Sequence, residues 1–509
     1  MLKRNVIANF IGQGWTALMG LAFVPLYIKY LGIEAYGLIG FYAVMQAWLT
    51  LFDMGITQTL NREMARFSAG AHTPRSIHDL LRSLEVISVV LAVVICFLVW
   101  VSSNYIATQW LNIQKLSGNE VASAIALMGF VIALRFIEGI YKGALLGLQK
   151  QIAVNVINII VATMRYGGVV AVLAWYASSI KVFFVWQAFS SIVSVIVFVY
   201  LVYKTLPKSN KTPKFSVQAI SEILHFARGI LGITFLALLL TQVDKILLSK
   251  LITLESYGYY TLAATVAGGL ALIAAPITQA IYPKMVEYVA QKKMAELTQL
   301  YHQGAQLISL CIAPVAVMLI FFAEDIVYLW SGDFNLASKT SPILLPLVLG
   351  SFLNCLVWMP YQLQLAHGWT SFAIKVNLIA VALLVPAILL VTPHYGAVGA
   401  AWLWALLNLG YVTISMHFMY KKLLPNEKWI WYWHDVIKQL ISTIVVIAIA
   451  KLLTNNFVLN SLGKFISYTV VFGLAILITA WQSNKIKPLI LLNLNQFFIK
   501  KYENDRASK

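Results

Sequence analysis

Charge is what this 509-residue chain has least of: Asp, Glu, Lys and Arg together make up 11% of it, less than half of the roughly 25% of a soluble globular domain. With 60% apolar residues and a mean hydropathy of +0.80, the deficit excludes an ordinary water-soluble fold. Carboxylates are scarcer still, 19 against 37 Lys and Arg. Cysteine is nearly missing, and Cys96, Cys311 and Cys355 are too scattered for a disulfide framework or a metal site. The eight histidines form no His-Glu-x-x-His or comparable cluster, so no metal ligands and no catalytic residues are expected. Long polar stretches are missing too. Connections such as Asn104 to Glu120 and Lys204 to Ile220 reach only about 20 residues, which leaves no room for a separate catalytic domain.

What the chain does have is uncharged runs: Val86 to Gln114, Val182 to Tyr203, Ser256 to Pro283, Leu297 to Ala323, Thr340 to Ile374 and Val376 to Tyr420. One membrane crossing needs about 20 apolar residues, so the last run holds two, turning at Pro393-His394-Tyr395-Gly396. The expected fold is all-α, a polytopic membrane protein of about fourteen transmembrane helices, centred near residues 17, 49, 93, 133, 164, 193, 236, 270, 312, 353, 382, 408, 443 and 473. Asn5 to Ile28 is too long for a signal-peptide core and counts as the first span.

The net charge of +18 follows from topology. Lys and Arg gather in cytoplasmic loops, and here they cluster on one side if both termini are cytoplasmic, as with Arg62, Arg66, Arg75 and Arg82 in one loop and Lys204, Lys208, Lys211 and Lys214 in another. Anionic lipid headgroups are the expected partners of these charges, with no nucleic-acid role.

Glu34 to Met64 reappears without a gap 221 positions later, with ten of 31 positions identical, including Glu34, Tyr36 and Gly37 on Glu255, Tyr257 and Gly258. The repeat sets spans one to six on spans seven to twelve, and because six is even the copies share one orientation. The expected organisation is a six-helix lobe over 1–203, a cytoplasmic linker over 204–219, a second six-helix lobe over 220–422, two extra transmembrane helices over 423–484 and a cytoplasmic tail over 485–509.

Charges inside spans cost about 2.5 to 3.5 kcal/mol each on insertion scales and therefore mark function or specific pairing. In span four Arg135, Glu138, Lys142 and Gln149 fall on one helical face. Arg135 and Glu138 could neutralise each other, which would leave Lys142 unpaired, and a cavity wall accounts for the whole stripe. Span five adds Asn155, Asn158 and Arg165 on one side. Span two carries Asp53, and span seven carries Asp244 beside Lys245. Each carboxylate is either a structural partner or an ion- or proton-coupling group. Lys29 and Lys250 read as interfacial, Lys284 and Lys375 as weaker cavity candidates, and the Trp429, Trp431, Tyr432, Trp433 cluster as interface anchors. Gly12-Gln13-Gly14 has no preceding strand and is no dinucleotide loop.

Leu31-Gly32-Ile33-Glu34-Ala35-Tyr36-Gly37, Leu51-Phe52-Asp53-Met54-Gly55-Ile56, Gly143-Ala144-Leu145-Leu146-Gly147-Leu148-Gln149 and Gln242-Val243-Asp244-Lys245 make the chain resemble the O-antigen-type polysaccharide flippases of the multidrug/oligosaccharidyl-lipid/polysaccharide exporter superfamily. The resemblance implies a bacterial inner-membrane flippase, not an enzyme, that moves undecaprenyl-diphosphate-linked oligosaccharide by alternating access during O-antigen, lipopolysaccharide or related polysaccharide biosynthesis. The family carries no strict signature for these roles, so position and chemistry make Arg135, Lys142, Arg165 and Lys245 the leading contacts to a diphosphate or acidic sugar. Gln13, Gln149, Asn155, Asn158, Gln242 and Gln279 would meet the saccharide, and Asp53, Glu138 and Asp244 would serve coupling or gating. No cofactor is implied, with H+ or Na+ as candidate coupling ions. Membrane lipids and the polysaccharide polymerase and chain-length machinery are the implied partners. The competing classes are a drug or metabolite cation antiporter of the same superfamily and a membrane glycosyltransferase or polymerase.

Overall fold

The computed structural model describes residues 2–53, 55–207, 235–236, 238–455 and 460–483, with the side chains of 2–8, 10 and 455 outside the description. Most of the linker expected over 204–219, and the whole tail over 485–509, lie outside the described residues. The described residues are nearly all helical, with no strand beyond an isolated bridge between Asn112 and Thr253. In hydrocarbon every backbone N–H and C=O must be satisfied within the chain, and helices do this locally.

Among the described residues twelve helices are long and apolar enough to cross a membrane. One of them, Thr370–Leu423, is 54 residues long and counts twice: Gly396 leaves helical geometry at φ 56°, three residues after Pro393, where the turn is expected. Only the seventh expected span, centred near residue 236, falls largely outside the described residues, although 238–251 is helical. The helices expose Leu383, Leu390, Leu452 and Leu477 because lipid, not water, is the solvent there.

Contacts divide the chain into two compact units, 1–261 and 262–509, with the division falling inside the Leu254–Ala290 helix. The first unit builds its core where the Ile56–Ser68, Pro74–Tyr105, Gly118–Gly147 and Ile180–Thr205 helices meet, on Leu60, Met64, Leu81, Ala144 and Phe198. Glycines let the Gly118–Gly147 helix sit close: a Cβ on Gly143 would meet the Thr57 carbonyl oxygen at 2.7 Å, and one on Gly147 would strike Asn61 and Met64. Glu85 staples three helices here, accepting hydrogen bonds from Tyr141 (2.9 Å) and Tyr203 (2.8 Å) and pairing with Arg82 at 3.2 Å.

Both copies of the repeat contribute to this unit, and they meet. A Cβ on Gly37 would lie 2.5 Å from the Leu254 carbonyl oxygen, and one on Gly258 would strike the Ile33 carbonyl oxygen. Since 33 and 254, like 37 and 258, are 221 apart, the contact is reciprocal. The repeat glutamates hold the same loop. Glu34 accepts backbone N–H bonds from Gln114, Lys115 and Leu116 at 2.5, 2.8 and 3.1 Å, and Glu255 pairs with the Lys115 ammonium at 2.9 Å.

In the second unit the Lys438–Asn455 and Ser461–Gln482 helices, the expected extra pair, pack on Met294–Phe321 through Ile447, Ala475, Val317 and Phe322. The aromatic cluster ahead of them divides. Trp429 and Trp433 are exposed as interface anchors would be, whereas Trp431 is fully buried and Tyr432 donates to the Val412 carbonyl at 2.5 Å. Sequence position could not separate them because all four precede the span at its interface.

Candidate functional site: a buried cationic cluster

The Gly118–Gly147 helix starts at Ser117, whose hydroxyl caps it by accepting the Glu120 N–H at 3.2 Å. Over its last three to four turns it presents Arg135, Glu138 and Lys142 to the inside of the first unit. Glu138 is the centre. One carboxylate oxygen holds the Lys142 ammonium one turn away, and the other faces the Arg165 guanidinium at 3.6 Å. Glu138 is 4% exposed and Arg165 12%, while Lys142 is about one-third exposed. Lys142 also stands 5.1 Å over the Phe198 ring.

Arg165 reaches Glu138 from a local irregularity. The helix Gln151–Ala162 opens into a π-turn at Thr163–Gly167 before resuming as Gly168–Trp175. Such single turns recur at functional positions. Packing holds this one: Trp186 donates to the Met164 carbonyl at 3.0 Å and Tyr27 to the Tyr166 carbonyl at 2.8 Å.

Arg135 completes the cluster with neutral partners. Its guanidinium donates to Gln46 at 2.6 Å and Gln187 at 3.3 Å and lies 5.4 Å over the Tyr42 ring. Two cations thus pair with one carboxylate, and the third, Arg135, acts on it through its charge alone. Arg135 Nε, Arg165 Nε, Arg165 Nη2 and Glu138 Oε2 are buried without a hydrogen bond. Such buried charge is costly unless paired. The arrangement is therefore short of acceptors, which is the electrostatic character of an anion site.

The structure brings together Arg135, Glu138, Lys142 and Arg165, and sets the other expected residues elsewhere. Gln149 does not continue the charged face: the helix ends at Gly147, and Gln149 stands exposed at φ 58°. The stripe expected from helical spacing stops at Lys142, because that spacing holds only while the helix does. Asp53 accepts from the Thr57 N–H (3.2 Å) and hydroxyl (2.7 Å), tying down the start of Ile56–Ser68. Asn155 is buried and donates to Asn9 at 2.5 Å and to the Gln151 carbonyl; Asn158 is half-buried one turn on. Asp244 is buried, accepts the Tyr260 hydroxyl at 2.7 Å and lies 3.7 Å from the Lys245 ammonium, which donates to the Thr241 carbonyl at 2.7 Å. Gln13 is exposed, Gln242 half-buried, and Gln279 exposed on the other unit.

Sequence reasoning passed over Gln46, Gln187 and Tyr42, the neutral partners of Arg135. Gln46 and Gln187 were visible as the polar members of otherwise apolar runs. It also passed over a second buried network, in the 262–509 unit. His302 bonds Asp435 at 2.5 Å through Nδ1 and Glu427 at 3.1 Å through Nε2, and Gln306 joins Asp435 (2.8 Å) to Ser483 (2.7 Å).

Residues 2–289, more than half of the chain, match the protein family described as "Polysaccharide biosynthesis protein". The chain belongs to this family. This polysaccharide biosynthesis protein is 22% identical over 406 residues to a Shigella flexneri protein named "Putative O-antigen transporter", an alignment covering 79% of this chain and 94% of that one. Among solved structures it is similar to a lipid II flippase, MurJ, in an inward closed conformation, with a TM-score of 0.69, 14% identity, and 94% of this chain and 98% of that one covered. It is also similar to an inward-facing multidrug resistance transporter of the MATE family and MOP superfamily, with a TM-score of 0.64, 12% identity, and 80% and 94% covered. At these identities the two structures speak to fold alone, and this family member shares that fold with them. It is a multi-pass integral membrane protein.

Proposed function

We propose that this protein is a flippase that carries undecaprenyl-diphosphate-linked oligosaccharide across the bacterial inner membrane by alternating access, for O-antigen or a related surface polysaccharide. The family membership and the name of the Shigella relative support a role in polysaccharide transport. The observation that carries the reading is the ratio of three cations to one carboxylate around Glu138. A diphosphate brings about two negative charges, and charge-assisted hydrogen bonds from Arg and Lys to phosphate are among the strongest available. Arg165 has two buried nitrogens without a hydrogen bond, and Lys142 is partly exposed. In this reading Lys142 and Arg165 take the diphosphate from Glu138, and Arg135 stays on Gln46 and Gln187 as a fixed positive charge. Lys245 supplies a further cation, and Asn158, half-buried on the helix that leads to Arg165, supplies an amide for the saccharide. Asp244, with one buried oxygen lacking a hydrogen bond, is the leading group for coupling to H+ or Na+. The same excess of cations disfavours cationic drugs as cargo.

The test is reconstitution in liposomes with a fluorescent polyprenyl-diphosphate oligosaccharide. Wild-type protein exchanges it between leaflets, and Lys142→Gln with Arg165→Gln lowers the rate by at least tenfold while the protein stays monodisperse. Unchanged exchange in that variant would remove both residues from the site. Incorporation of labelled sugar into product by the purified protein would replace the transporter reading with a transferase.

A further inference from the structure

The second unit carries a site of different character. Within Thr370–Leu423, the two passes line an open groove of about 570 Å³, inside the range of small-molecule sites. Its floor is Ala380 and Leu384, each 4% exposed, and its walls are Ile379, Leu383, Leu406 and Ile414, all more than half exposed. The gap has a structural cause. Ala380, Ala387 and Gly410 contribute little volume, and the second pass opens into a π-turn at Tyr411–Ser415 beside them. From Phe372 to Ala387 the groove runs about 20 Å along the helix, the length of a stretched hydrocarbon chain, and it is open on its apolar side.

One end is built differently. Phe372 and Phe418 close it, and Trp369 stacks on Phe372 with ring centroids 4.5 Å apart. The Lys422 ammonium stands 4.0 Å over the Trp369 ring. Lys375, exposed and the only charged residue lining the groove, lies one turn inside this end. Side chains on a helix lean toward its N-terminus, which directs the Lys375 stem at the same mouth. An apolar slot that ends in an indole anchor and two lysines is complementary to a lipid with a hydrocarbon chain and a phosphate headgroup.

We propose that this groove is a site for an anionic phospholipid, with one acyl chain between the two passes and the phosphate between Lys375 and Lys422. The site is distinct from the Glu138 cluster of the first unit, and its occupant is a bilayer component rather than cargo.

The test uses the full chain in phosphatidylcholine nanodiscs doped with phosphatidylglycerol bearing a photoreactive acyl chain, followed by peptide mapping. Crosslinks concentrate in 372–387 and 403–418. Labelling falls at least fivefold when the photoreactive lipid is phosphatidylcholine, and equally in Lys375→Gln/Lys422→Gln, whose changes lie at exposed positions that leave the fold intact. Ala380→Phe/Ala387→Phe fills the slot and abolishes labelling there with both lysines present. Equal labelling by the two lipids, or unchanged labelling of the lysine variant, overturns the proposal. So does displacement of phosphatidylglycerol by a lower concentration of polyprenyl diphosphate, which would make the groove a seat for a substrate tail.

Discussion

Gly37 and Gly258, 221 residues apart in sequence, each lack a Cβ where the other copy's backbone fills the space: Gly37 faces the Leu254 carbonyl and Gly258 faces the Ile33 carbonyl. The crossing is as tight as backbone allows. Gly258→Ala therefore forces the helices apart, at a cost of about 1–3 kcal/mol as for other overpacked sites. Gly268→Ala, in the same helix but with nothing within 4 Å of its Cβ position, should be neutral or slightly stabilising through helix propensity. Melting temperatures of the detergent-purified variants check this. A Gly258→Ala protein as stable as Gly268→Ala would mean the crossing is looser than the contact implies.

Removing the Glu138 charge should destabilise the protein more than removing a charge that faces it. Glu138→Gln leaves Lys142 and Arg165 without their carboxylate, and breaking a buried pair from one side costs about 3–5 kcal/mol. Glu138→Gln/Arg165→Gln should recover part of the loss, with a coupling energy of about 0.5–3 kcal/mol. Unfolding curves for the two single variants and the double variant give that coupling. Additive losses would show that the two side chains act independently.

Glu63 gives a pH dependence with a defined sign. Burial raises the pKa of its carboxyl, but hydrogen bonds from His72 (2.7 Å) and Arg62 (2.8 Å) and the nearby Arg66 outweigh burial and hold it below the ordinary glutamate range. A carboxyl with a depressed folded pKa contributes stability that is fully present above its unfolded pKa, about 4.3, and is lost as pH falls through the folded pKa. Wild-type protein should therefore exceed Glu63→Gln in melting temperature at neutral pH, with the gap closing as pH drops below about 4. A gap that is constant across that range would assign the effect of Glu63 to packing.

Hydrophobic length made the fold legible: thirteen of the fourteen expected spans sit on described helices. The repeat marked Gly37 and Gly258 as equivalent positions, but that they meet is a contact between helices 221 residues apart, which no pattern along the chain shows. Spacing also drew Arg135, Glu138 and Lys142 together, since helical periodicity is local. It failed at Gln149, where the helix ends two residues earlier, and it could not show that Asp53 bonds Thr57 four residues on. The neutral partners of Arg135 come from two other helices, and no local rule pairs residues 89 or 52 positions apart.

The same limit hid Asp435, which sits fully buried in a π-turn and is reached by His302 and Gln306 from a helix more than 120 positions earlier. These bonds fasten the entry to Lys438–Asn455 onto Met294–Phe321, and Gln306 extends the link to Ser483 at the end of Ser461–Gln482. Asp435→Ala removes one buried bond each from His302 and Gln306, which keep Glu427 and Ser483, at about 1–3 kcal/mol for each buried donor that loses its acceptor. The loss should be local. Residues 438–482 should exchange amide hydrogens faster in the variant, while the core around Leu60 and Phe198 in the other unit keeps its protection. Asp435→Asn retains acceptor capacity toward one partner and should fall between wild type and alanine. Uniform acceleration across both units would instead mean that Asp435 supports the whole fold, and no change would mean that apolar packing through Ile447 and Ala475 holds the helix pair by itself.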